Sequence, residues 1–107
     1  MEEHTPIIRL YFTKMKEAFS NLSDEEEMAF MRKDRENLDK LGMKAVTMIN
    51  CIGFSDDWEY IGVEEWPSMT AIEEQEKFEN DILEVSKYVE FKTILGAPES
   101  FAEYGRS

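Results

Sequence analysis

The segment Trp58–Trp66 (WEYIGVEEW) constrains the fold more than any other part of the chain. A strand's period of two places Trp58, Tyr60, Gly62, Glu64 and Trp66 on one side and Glu59, Ile61, Val63 and Glu65 on the other, so both sides carry apolar groups. A sheet with one wet face alternates apolar and polar residues cleanly, and this segment does not. Something must therefore cover each face.

The cover has to be found in a small protein. At 107 residues the chain is expected to form one domain, 1–107, with a modest core. Its 24 acidic against 12 basic residues give a net charge of −12, which excludes nucleic acid and anionic membrane surfaces as partners, because both need a basic footprint. No apolar run of about 18 residues and no basic-then-apolar N-terminus is present, so a cytoplasmic location without membrane is expected. Cys51 is the single cysteine, which rules out an internal disulfide and a cysteine-rich metal site.

The other elements follow from local signals. Ile7–Lys16 alternates, with Ile8, Leu10 and Phe12 against Arg9, Tyr11 and Thr13, and reads as a first strand. Ser23 with Glu26 three residues on is a capping box, Asp24–Glu27 places negative charge on a helix N-terminus, and Gly42 stops the helix after Leu41. Met28, Phe30, Met31, Leu38 and Leu41 fall on one broad side of that helix and read as core, with Asp34 and Arg35 at its rim. Met43–Ile52 is a second strand, GFSDD a turn, and Trp58–Trp66 a third strand ended by Pro67. Ser68 caps a second helix that turns Ile72 and Phe78 inward. Asn80-Asp81 leaves open whether ILEVSK continues it, and Tyr88–Leu95 is a fourth strand.

The order β-α-β-β-α-β is the split βαβ, ferredoxin-like arrangement, an α+β fold in which an antiparallel four-stranded sheet carries both helices on one face. The other face then needs its own cover. Trp58, Tyr60, Trp66 and Tyr11 are assigned to that open side, and a twofold-related second subunit is the simplest way to bury them.

The element order, the length, the apolar second sheet face and the Trp66-Pro67-Ser68 step into the second helix resemble the dimeric α+β barrel superfamily, over residues 7–96. That superfamily includes antibiotic-biosynthesis-type monooxygenases, stress-responsive A/B barrel proteins and haem-degrading monooxygenases. The resemblance implies a homodimer with one small-molecule pocket per subunit. Haem-degrading members use a helical histidine as iron ligand, whereas the one histidine here, His4, precedes the first strand, so no haem is expected. Cofactor-independent members hold aromatic substrates with asparagine, tryptophan, tyrosine and arginine, types present at Asn50, Trp66, Tyr60 and Arg9 without a positional match.

The residues themselves point the same way. Arg9, Tyr11, Asn50, Trp58 and Trp66 are candidate ligand-binding groups, and Glu64 and Tyr60 candidate catalytic groups, because aromatic walls with a few polar anchors make small-molecule sites and a carboxylate among them can move a proton. The structural alternative pairs Glu64 with Arg9 or Lys92 across strands, or leaves it facing solvent. No phosphate loop, nucleophile elbow or zinc-ligand spacing is present, and Cys51 reads as a small buried hydrophobe. No cofactor and no metal are expected. The functional expectation is a small-molecule-binding dimeric barrel, either a cofactor-independent monooxygenase or isomerase acting on an aromatic or apolar compound, or a non-catalytic, stress-associated binding protein. Phe101 and Tyr104 in the tail are expected to pack on a partner subunit.

Overall fold

The computed structural model describes residues 6–99; His4, Phe101 and Tyr104 lie outside the described residues. Its elements are β1 (Ile7–Met15), α1 (Glu17–Ser20), α2 (Asp24–Lys40), β2 (Lys44–Asn50), β3 (Tyr60–Trp66), α3 (Met69–Asp81), α4 (Val85–Tyr88) and β4 (Val89–Gly96). The sheet order is β2-β3-β1-β4, every neighbouring pair antiparallel. Each strand–helix–strand unit thus straddles a strand of the other, which is the ferredoxin-like arrangement.

Local chemistry sets the boundaries. Ser23 and Glu26 form the reciprocal capping box at the start of α2, a device worth about 1 kcal/mol. At its end Met43 N–H donates to Leu38 and Gly42 N–H to Asp39, the paired bonds of a Schellman stop, with Gly42 at φ +82° where only glycine sits without strain. Ser68 Oγ accepts from Ala71 N–H to open α3. That helix runs through Asn80-Asp81, and α4 takes up part of ILEVSK as a separate turn. The third strand starts two residues later than its alternation suggests. Asn50 Oδ1 accepts from Ile52 N–H, and Ser55 Oγ accepts from the N–H groups of Asp57 and Trp58, holding those residues in the connecting loop.

The register assigns the two faces. Arg9, Tyr11 and Thr13 lie opposite Glu64, Gly62 and Tyr60 on β3, and directly opposed residues share a face. Trp66 belongs to this set and is fully buried against Leu38 of α2 and Ala71 and Ile72 of α3. Both long helices therefore cover the face of Tyr11, Tyr60 and Trp66, contrary to their assignment to the open side. The open side carries Ile8, Leu10, Phe12, Ile61 and Val63, with Ile49 and Ile94 on the flanking strands. The expectation of an apolar uncovered face holds, with the other half of each strand supplying it.

The methionine stripe is a second correction. Met28 and Met31 are 63% and 57% exposed, while Phe30 turns in to meet the rings of Phe19 and Tyr88 edge-on at 5.9 and 5.5 Å. The inward side of α2 is set by Phe30, Asp34, Asn37 and Leu38, all at least half-buried, so the buried arc is rotated away from the methionines. Short α1 places Phe19 under Phe30. Cys51 is buried, as its type suggests.

The core is small, so each buried branch counts. Ile72→Ala should cost about 2–5 kcal/mol in urea denaturation, whereas Ile82→Ala, at a position 59% exposed, should stay within about 0.5 kcal/mol of wild type. Equal losses at the two positions would contradict the layer assignment.

Candidate functional site

The space between sheet and helices is not an oily seam. Arg9 from β1 is 1% exposed, and its guanidinium lies 4.7 Å from the ring centroid of Tyr11 and 5.2 Å from that of Trp66. Its Nε donates to Glu64 Oε1 at 2.6 Å, and its two terminal nitrogens meet Glu79 Oε1 and Oε2 at 3.5 and 3.2 Å. Glu64 Oε1 also accepts from the Trp66 indole N–H at 3.0 Å. A planar fork with several donors matches this double carboxylate recognition, which an ammonium would meet only as a point charge.

The network continues into the helices. Gln75, fully buried on α3, donates through Nε2 to Glu79 Oε2 at 3.0 Å and to Asp34 Oδ1 on α2 at 2.9 Å, and accepts from Asn37 Nδ2 at 2.7 Å. One connected set of side chains thus ties β1, β3, α3 and α2 together. One buried polar atom stands outside it: the Tyr11 hydroxyl has no hydrogen-bond partner among the described residues.

Charge in this layer is unbalanced, three carboxylates facing one guanidinium. Burial works against the Arg9 charge, but Glu79 and then Glu64 more than offset it and raise its pKa further above the usual value. Burial raises the Tyr11 hydroxyl strongly, and the negative charge of Glu79 adds to it, so the group is a neutral donor. Burial also raises Asp34, against the opposing Gln75 hydrogen bond, and raises Glu79 despite its pairing with Arg9.

Of the residues singled out in the sequence, the structure gathers Arg9, Tyr11, Glu64 and Trp66, and Arg9 is the cross-strand partner of Glu64. Lys92 is not, since it lies on the other face with its Nζ 4.8 Å from the Phe12 ring and 5.9 Å from the Trp58 ring. Trp58 is on that face too, its ring 5.6 Å from Phe12, because the chain bends at Glu59 before the ladder begins and so breaks the alternation. Tyr60 shares the helix-covered face but pairs with Thr13 and Asn50, four residues and roughly 13 Å along the strand from Glu64. Asn50 is exposed and closes its own turn through Ile52. Asp34 is a working member of the network, while Arg35 is a surface group paired with Asp39 at 3.2 Å.

Gln75 and Glu79 were not anticipated, yet a helical signal marks them: Ile72, Gln75 and Glu79 follow an i, i+3, i+7 spacing and so share the buried stripe of α3. Among the described residues no group of three or more histidine, cysteine or acidic side chains is arranged to hold a metal ion. Among the described residues no helix is long and apolar enough to cross a membrane.

Removing Arg9 leaves Glu64 and Glu79 buried without a counter-charge. Arg9→Met should therefore cost about 3–5 kcal/mol at neutral pH in chemical denaturation, the scale for breaking a buried ion pair from one side. A cost below about 1 kcal/mol would mean that the carboxylates are solvated.

No protein-family model and no curated protein sequence matches the chain. Solved structures do. The methylated RPA0582 protein superposes with a TM-score of 0.67 at 18% identity, covering 92% of this chain and 84% of that one. A second structure of the RPA0582 protein, from Rhodopseudomonas palustris and described as of unknown function, gives 0.61 at 20% identity, with coverages of 92% and 85%. A dabb family protein with a ferredoxin-like fold (mll5499) from Mesorhizobium loti gives 0.59 at 17% identity, with coverages of 90% and 99%. At these identities the likeness speaks for the fold alone, and the fold of this chain is the ferredoxin-like one.

Proposed function

We propose that the chain works as a homodimeric barrel that binds a small apolar or aromatic molecule and has no chemistry of its own. The observation that carries this reading is the uncovered sheet face. Ile8, Leu10, Phe12, Ile61 and Val63 are only half-buried there, and Ile94 is 45% exposed. A contiguous apolar face of this kind on a soluble domain marks an interaction surface. A second copy related by a twofold axis offers the same row in return, at about 25 cal/mol for each Å² of apolar area removed from water.

One end of the sheet supplies the ligand part of the reading. A depression of about 600 Å³ there is lined by Trp58, Val89 and Phe91 with Lys16, Asp57, Ser86 and Glu90 around them. It is open to solvent, and its aromatic and polar side chains offer contacts of the kind that small-molecule sites use. The catalytic alternative assigns proton transfer to Glu64, with Tyr60. It is less well supported, because the Glu64 oxygen nearest the cluster already accepts from both Arg9 and Trp66, which suits holding an arginine better than moving a proton.

Sedimentation at micromolar concentration should give a dimer, and Leu10→Asp, which sets a charge in the middle of the uncovered row, should give a monomer. A folded wild-type monomer would refute the assembly. In a thermal-shift screen of neutral aromatic and quinone-like compounds, Trp58→Ala should weaken the binding of any hit by about tenfold, the scale of one lost aromatic contact of 1–1.5 kcal/mol. Turnover of a hit that falls by about 10²-fold in Glu64→Gln, with folding intact, would establish the catalytic alternative instead.

A further inference from the structure

The excess of negative charge in the buried layer has a mechanical consequence. Glu64 and Glu79 both touch the Arg9 guanidinium, whereas Asp34 touches only the Gln75 amide, which it shares with Glu79. Asp34 and Asn37 are also the only α2 side chains in this network, so the polar link from α2 to α3 runs entirely through Gln75. We propose that Asp34 is a proton-operated clasp between the two helices: protonated, it is a neutral partner for Gln75, and ionised, it adds a half-buried negative charge beside two buried carboxylates that share a single guanidinium and loosens α2 from α3.

The charged and titratable groups facing the clasp are Arg9 and Tyr11 from β1, Glu64 from β3, Glu79 from α3, and Arg35 beside Asp34 on α2 itself. Arg35 is directed at Asp39 and 63% exposed, so it adds little compensation. The Tyr11 hydroxyl is driven up first by burial and then, against Arg9, by Glu79, Asp34 and Glu64, so all three carboxylates share one electrostatic neighbourhood. Burial favours the neutral form of Asp34. The sign follows from linkage. A carboxyl whose pKa is higher folded than unfolded binds more proton in the folded state, so its stabilising contribution is complete below the unfolded value near 4 and is lost as pH rises through the folded value. The contact it releases joins the two helices that bring Leu38 and Ala71 and Ile72 onto Trp66.

The test is urea denaturation of the full chain from pH 4 to 8.5 for wild type, Asp34→Asn and Glu79→Gln, with amide-exchange protection factors for α2 and α3. Asparagine keeps an acceptor for Gln75 and cannot ionise. The unfolding constant of wild type should rise relative to Asp34→Asn by about tenfold across this range, with protection in α2 and α3 falling in wild type alone. Glu79→Gln should be destabilised at both ends of the range, because it removes one of the two carboxylate partners of Arg9. A gap between wild type and Asp34→Asn that is constant with pH would overturn the proposal. So would an Asp34→Asn protein that fails to fold, since that would show the charge to be required.

Discussion

A guanidinium held between two carboxylates in the water-poor layer between sheet and helices is the interaction on which the rest of this structure depends. Taking Arg9, Glu64 and Glu79 out of water costs several kcal/mol per ion, and mutual attraction offsets that cost only when the geometry is complete. Completeness here requires particular neighbours. Trp66 must lie beside Glu64 to donate its indole N–H, Gln75 must reach Glu79 from one helical turn away, and β1 and β3 must pair with Arg9 opposite Glu64. A slip of one residue between these strands would send Arg9 to the open face and leave two buried acids alone. The ion cluster therefore contributes register and the docking angle of α3, while Trp66, Ile72, Leu38 and Ala71 supply the hydrophobic stabilisation.

This division of labour separates the two sides of the sheet. The helix-covered side is packed, and among the described residues its buried polar side chains are hydrogen-bonded apart from the Tyr11 hydroxyl. The opposite side is a row of isoleucine, leucine, valine and phenylalanine with no layer over it among the described residues. A single subunit is thus internally consistent on one side and unfinished on the other, which is why assembly, and not the buried carboxylate, stands at the centre of the functional reading.

Most of the architecture is legible in local signals. Ser23 with Glu26, Gly42, and Pro67-Ser68 act on neighbours within four residues, and each marks the boundary it suggests. The choice of face is not legible in this way. Both halves of β1 are apolar enough to be buried, and the half that contains an arginine looks like the wet one. Arg9 goes inside because its partners Glu64 and Glu79 stand 55 and 70 residues away, at positions that only the folded chain brings together. The candidate site divides along the same line. Arg9, Tyr11, Glu64 and Trp66 share strand parity and converge, while Trp58 precedes a bend that breaks parity and Asn50 belongs to a turn. Gln75 and Glu79 escape notice because polar residues on a helix are read as its wet side, although their spacing from Ile72 places them on the buried stripe.

The claim that the Arg9 cluster holds the layers together and performs no chemistry is tested most directly by replacing it whole. In the triple variant Arg9→Met, Glu64→Leu, Glu79→Leu, shape is largely kept and all three charges leave together. The account predicts an unfolding free energy within about 2 kcal/mol of wild type, because well-packed apolar residues can substitute for a buried ion cluster, with the sedimentation behaviour and ligand binding of wild type retained. A triple variant that folds as well as wild type but no longer handles the ligand would contradict it, and would return Glu64 to the active chemistry of the protein.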